Sequence, residues 1–147
     1  MATQENLDKA YMRMAEELAK LSYAERKKVG CLIVKDTQII SEGFNGTPAG
    51  FDNSCEYHNH LYEIHTKPEV LHAESNAITK LARSTNSSSE STLYVTLAPC
   101  FECSKLIIQA GIKRVMYKDS YSNMGGIALL KRANIEVNCI YDYEEPY

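Results

Sequence analysis

The chain has 147 residues, 44% of them hydrophobic, with a formal net charge of −3 at pH 7, which suits one compact domain with a real core. No apolar run approaches the ~18 residues of a membrane span and the start, Met1 to Asp8, is polar, so neither a transmembrane helix nor a signal peptide is read and a soluble, cytoplasmic protein is expected. The negative balance, with no basic run longer than Arg26-Lys27-Lys28, weighs against a polynucleotide partner, because phosphate backbones are held by Lys and Arg.

Along the chain, Leu7, Ala10, Tyr11, Met14, Leu18 and Leu21 recur at three- and four-residue steps, which predicts an amphipathic helix from about Gln4 to Leu21. Gly30 to Val34 and Gln38 to Phe44 flank the polar turn Lys35-Asp36-Thr37 and read as a β-hairpin. Ala73 to Arg83 reads as a helix with Ala77, Ile78, Leu81 and Ala82 facing inward. The Ser-rich stretch Ser84 to Ser91 is expected to be a solvated loop without a packing role. Leu93 to Leu97 is a buried strand, Cys100 to Ala110 a helix stopped by Gly111, and Arg114 to Tyr117 a fourth strand. Ile127 to Ala133 is a short helix and Ile135 to Ile140 a fifth strand. Alternation of strands and helices predicts an α/β layer fold in which the last three strands run parallel.

Five cysteines, an odd number, suit a reducing compartment better than a disulfide framework. Cys31 and Cys139 fall in apolar strands and read as core residues. Cys100 and Cys103 are different. They stand in the run Pro99-Cys100-Phe101-Glu102-Cys103, one turn apart on one helix face, with Pro99 suited to the first turn. Upstream lies His72-Ala73-Glu74. Two thiolates and one imidazole are three zinc ligands, which leave a fourth position open for water, as a catalytic site requires. Zinc lowers the pKa of water to about 7, and Glu74, not a ligand, is placed to move its proton. A lone Cys-x-x-Cys also fits a structural zinc or a redox pair; the two motifs together, each opening a helix after an apolar segment, point to hydrolytic deamination.

These motifs, with Gly43-Phe44-Asn45-Gly46-Thr47-Pro48-Ala49-Gly50, resemble the deoxycytidylate (dCMP) deaminase family, including its phage members, from about Met12 to Tyr141. The resemblance implies a cytidine-deaminase-like three-layer α/β/α fold, a five-stranded mixed sheet with helices on both faces. It implies hydrolysis of dCMP to dUMP and ammonia, on a homohexamer activated by dCTP, with Mg2+ beside the triphosphate, and inhibited by dTTP. His72, Cys100 and Cys103 would hold zinc and Glu74 would shuttle protons. Asn45 would contact the deoxyribose; Lys105 and Tyr121 match positions that bind the nucleotide and its phosphate. Each has a plainer reading: a turn residue for Asn45, a solvated helix lysine for Lys105, a packing tyrosine for Tyr121. Arg26, Lys27 and Lys28 precede the first strand and either end a solvated segment or reach an anionic nucleotide at the active or the regulatory site.

The 45–71 segment lacks periodicity and contains Cys55, His58, His60 and His65. Some phage relatives carry a second, structural zinc in this region, and Cys55 and His65 lie near matching places, although the N-terminal cysteine partner is absent and Glu69 is displaced by one position. The other reading is a loop that covers substrate. Two rival functions stand beside dCMP deamination: a deaminase of tRNA or free cytidine, and a non-catalytic zinc-stabilised binding module. The second leaves Glu74 unexplained.

Overall fold

A computed structural model describes residues 2–140; Met1 and residues 141–147 lie outside the described residues, and with them Tyr141, the expected end of the family resemblance. The elements are α1 (Gln4–Ala19), β1 (Gly30–Lys35), β2 (Gln38–Phe44), β3 (Glu56–His58), β4 (Ile64–Thr66), α2 (Ala73–Leu81), β5 (Thr92–Leu97), α3 (Phe101–Gln109), β6 (Arg114–Asp119), α4 (Gly125–Arg132) and β7 (Glu136–Cys139). The main sheet has the order β2-β1-β5-β6-β7. As the alternation of elements predicts, β5, β6 and β7 run parallel, while β1 is antiparallel to both β2 and β5.

Strands β1 and β5 are buried on both faces, which is why they read as nearly continuous apolar runs. Cys31, Ile33, Leu93, Val95, Val115 and Tyr117 share one core with Ala77 of α2, Ile107 of α3 and Leu130 of α4. Leu32, Val34, Tyr94 and Met116 point the other way and pack on Tyr11, Met12 and Ala15 of α1. The result is the expected three-layer α/β/α arrangement. Asp36 and Thr37 both take positive φ in the β1–β2 turn, the twist that closes a tight hairpin.

Three local expectations need correction. The buried stripe of α1 is Asp8, Tyr11, Met12, Ala15 and Ala19, whereas Met14 and Leu21 are exposed. The helix is rotated because a charged residue faces inward: Arg114 donates to Asp8 Oδ1 and Oδ2 at 2.8 and 2.6 Å, and Tyr94 Oη donates to Oδ1 at 2.5 Å. Ala82 is the C-cap of α2 and is exposed, since the helix ends at Leu81. The Ser84 to Ser91 loop does pack. Ser91 is fully buried; Ser88 Oγ donates to Ala110 O at 2.7 Å and Glu90 N to Gly111 O at 2.9 Å, which satisfies carbonyls that the end of α3 leaves without helical partners.

Because β1 runs against β5, the segment entering β1 lies beside the carboxyl ends of β5 and β6. The residues before β1, after β2, after β5 and after β6 therefore meet at one end of the sheet, where open α/β sheets bind ligands.

Candidate active site

At that end, α2 and α3 present their N-termini. His72 is the N-cap of α2 and Cys100 the N-cap of α3, whose Sγ accepts a hydrogen bond from Cys103 N at 3.4 Å. His72 Nδ1 lies 3.2 Å from Cys103 Sγ and 3.5 Å from Cys100 Sγ. Among the described residues these three form the one group of three or more such side chains whose donor atoms all fall within 4.8 Å of one another. With Zn–S near 2.3 Å and Zn–N near 2.0 Å, donors around a tetrahedral zinc stand about 3.5–3.8 Å apart. The cluster therefore fits the ion, and a three-donor set leaves a corner open.

In the metal-free cluster one thiol carries the charge and the other two groups keep their protons, which an incoming metal ion would displace. Hydrogen bonds from Cys103 and His72 pull the Cys100 thiol down to about 4, and a helix N-terminus favours a thiolate in the same sense. The bond to Cys100 raises the His72 imidazole. Cys103, bonded to Cys100 and buried, is pushed up. Glu74, on the first turn of α2, is 4% exposed, and burial raises its carboxyl. A carboxylic acid whose pKa moves toward neutrality is the type of group that both takes and returns a proton.

Two close approaches hold these pieces. A Cβ on Gly126 of α4 would stand 2.4 Å from Pro99 O and 2.7 Å from the Cys100 carbonyl. A Cβ on Gly43 would stand 2.5 Å from Ala73 O, beside Glu74. The absence of side chains lets α4 and β2 press directly on the backbone that carries the candidate ligands and Glu74. Gly43 opens the Gly43 to Gly50 segment that the sequence singles out, whereas Gly126 does not stand out there as more than a turn or helix residue.

His72, Glu74 and Cys100 open into a cavity of about 390 Å³ whose wall also includes Asn45, Tyr121, Arg26, Lys27, Cys55 and Glu56, a size typical of small-molecule sites. Asn45 and Tyr121 are thus brought to the site. Asn45 also braces the backbone. Its Oδ1 accepts from Val29 N at 2.9 Å and its Nδ2 donates to Lys27 O at 2.8 Å, so it ties the segment before β1 to the end of β2. Lys105 is not among the lining residues. It is exposed on α3, with Nζ 2.9 Å from Glu102 Oε2.

The 45–71 segment contains the β3–β4 hairpin, which sequence periodicity missed because each strand has only three residues. Cys55 is buried in the cavity wall and donates to Asn53 O at 3.5 Å. His65 stacks on Tyr57 and places Nε2 3.1 Å from Asn59 Nδ2. Among the described residues neither belongs to a metal-binding group. The segment instead supplies cavity wall through Cys55, Glu56, Thr66 and Val70.

Residues 5–119 match the family model for the cytidine and deoxycytidylate deaminase zinc-binding region. The chain belongs to that family. It is 33% identical over 149 residues to deoxycytidylate deaminase of Enterobacteria phage T4, with 75% of this chain and 77% of the phage protein covered. It is 35% identical over 146 residues to the deoxycytidylate deaminase of Saccharomyces cerevisiae, covering 95% of this chain but 46% of the yeast protein, so it spans about half that relative's length. Among solved structures, the dCMP deaminase of cyanophage S-TIM5, in complex with dCMP and dUMP, superposes with a TM-score of 0.87 at 41% identity, covering 95% of this chain and 100% of that one. Among the described residues, no helix is long and apolar enough to cross a membrane.

Proposed function

We propose that this protein is a zinc-dependent hydrolase that converts dCMP and water to dUMP and ammonia. The observation that carries the reading is Glu74, an acid buried beside a three-donor cluster at the wall of a cavity; a structural metal site has no use for it. Family membership and the dCMP-bound and dUMP-bound phage relative support the choice of substrate.

His72, Cys100 and Cys103 would hold the zinc. When bound, the ion supplies Lewis acidity that makes water a nucleophile near neutral pH. Glu74 takes a proton as water adds at C4 of the cytosine and delivers it to ring N3. A second proton passes through the same carboxyl to the amino group, which leaves as ammonia. Burial of Glu74 keeps its two protonation states close enough in energy to serve both steps. Asn45 and Tyr121 orient the nucleotide from the cavity wall. The regulatory part, activation by dCTP with Mg2+ and inhibition by dTTP on a cytoplasmic homohexamer, rests on the family alone.

The test is turnover of dCMP, CMP, deoxycytidine and dCTP by zinc-loaded protein, each with and without added dCTP or dTTP, followed by the absorbance change from cytosine to uracil. Preferred conversion of dCMP is expected. Absence of uracil from every substrate would overturn the proposal.

A further inference from the structure

We infer that Ser22 and Asn76 are positioning residues for the nucleotide, which act by fixing the backbone of Asn45 relative to Glu74. This rests on the nucleotide-deaminase reading of the site. Neither side chain lines the cavity, so each acts through the loop that carries Asn45.

The sheet stops holding the chain just before that residue. Phe44, opposite Gly30, is the last paired residue of β2, and beyond it the backbone groups need other partners. Asn76 Nδ2 donates to Phe44 O at 2.7 Å, and Ser22 Oγ donates to Asn45 O at 2.8 Å. The carbonyls on either side of the Asn45 Cα are thus gripped by side chains from two different elements. Gly46 completes the seat: its N–H donates to Leu71 O at 3.1 Å and its carbonyl accepts from Leu71 N at 2.8 Å. Leu71 precedes His72, and Asn76 lies two residues after Glu74 on α2, its own N–H bonded to His72 O at 3.0 Å. The 44–46 loop is therefore tied to the helix start that carries both His72 and Glu74.

Ser22 fixes the loop from the other side. It is 3% exposed, just beyond α1, and its hydroxyl accepts from Ala24 N at 3.1 Å while donating to Asn45 O, so both of its roles are engaged. The Asn45 side chain spends Oδ1 on Val29 N and one Nδ2 proton on Lys27 O. An amide carries two such protons, which leaves one N–H for a ligand. A single remaining donor has a single direction, and hydrogen bonds weaken steeply with misalignment. The backbone seat thereby decides whether Asn45 meets the nucleotide.

The experiment measures kcat and KM for dCMP, zinc content and denaturant stability in zinc-loaded wild type, Ser22→Ala, Asn76→Ala, Asn45→Ala, and the two double variants that combine each of the first two with Asn45→Ala. Ser22→Ala and Asn76→Ala should each raise KM by roughly three- to tenfold, the range for one lost hydrogen bond. Zinc content and kcat should stay near wild type, since neither side chain is bonded to His72, Glu74, Cys100 or Cys103. Ser22→Thr keeps the hydroxyl and should recover most of the loss. In the Asn45→Ala background neither change should raise KM further, whereas each should lower stability by as much as it does with Asn45 present. A merely structural role predicts the same factor in KM in both backgrounds. That additive result, an unchanged KM in folded Ser22→Ala and Asn76→Ala, or an unchanged KM in Asn45→Ala would overturn the inference and leave deamination standing. Wild type without turnover of dCMP would instead overturn the deaminase reading, and the inference with it.

Discussion

The chain buries two polar clusters on opposite faces of one sheet, and they are finished differently. On the α1 face, both oxygens of Asp8 are taken: Arg114 grips them as a fork, and Tyr94 and Gln4 add donors to Oδ1. Burial would raise the Asp8 carboxyl, but those partners outweigh it and hold it below its usual value; burial and Asp8 together push Tyr94 up, and Arg114 is raised by its bonds to Asp8. On the α2–α3 face, Glu74 has a backbone N–H and the Cys103 thiol as donors but no arginine fork, and burial wins. A closed cluster fastens a helix to the sheet. The cluster on the other face is the one proposed to keep a reactive proton and to hold a metal.

The contrast can be broken in descending order of effect. Glu74→Gln should lower kcat by about 10²–10⁴, the range for removal of a general acid–base, with zinc content by elemental analysis and melting temperature preserved. Near-normal turnover in that variant would remove Glu74 from the chemistry. Asp8→Ala should do the reverse: stability measured by denaturant unfolding should fall by about 1.5–3 kcal/mol, because the partly buried Arg114 loses its charge-assisted fork while keeping Glu136 at 3.5 Å, and turnover per folded molecule should persist. Zinc removal should come next. At a free concentration of about 100 times its Kd the ion contributes about 2.7 kcal/mol to the folded state, so chelation should lower Tm by roughly 10 °C and abolish activity, both reversed on adding zinc back.

Acid should separate the clusters more gently. The Asp8 carboxyl is lowered in the folded chain from 3.8, so its stabilisation is complete above that unfolded value and is lost as pH falls through the lower folded one. Melting temperature should drop below about pH 4 in the wild type, and Asp8→Asn should lose that part of the pH dependence. The smallest effect belongs to Lys105→Ala, where loss of an exposed i,i+3 pair should cost no more than about 0.5 kcal/mol by the same denaturant assay.

The candidate cluster was legible in the sequence because its residues come in two local pairs: His72 and Glu74 share a helix start, and Cys100 and Cys103 a turn. The parallel order of β5, β6 and β7 was legible for a similar reason, since a helix between two strands forces a crossover. What depended on long-range pairing was not. Nothing near Asp8 announces Arg114, 106 residues away, and hydrophobic periodicity therefore placed the α1 stripe a fraction of a turn off. Arg26 and Lys27 reach the cavity only because β1 is antiparallel to β5. The same distance effect hid Gly126, whose missing side chain matters only once α4 lies against Pro99.

The most direct test of the account is dCMP turnover against zinc occupancy, measured on one preparation as the ion is stripped and restored. One zinc per chain, and a rate of dUMP formation that rises and falls in proportion to it, is the predicted result. Undiminished dUMP formation by fully stripped protein, or none at full occupancy, would contradict it.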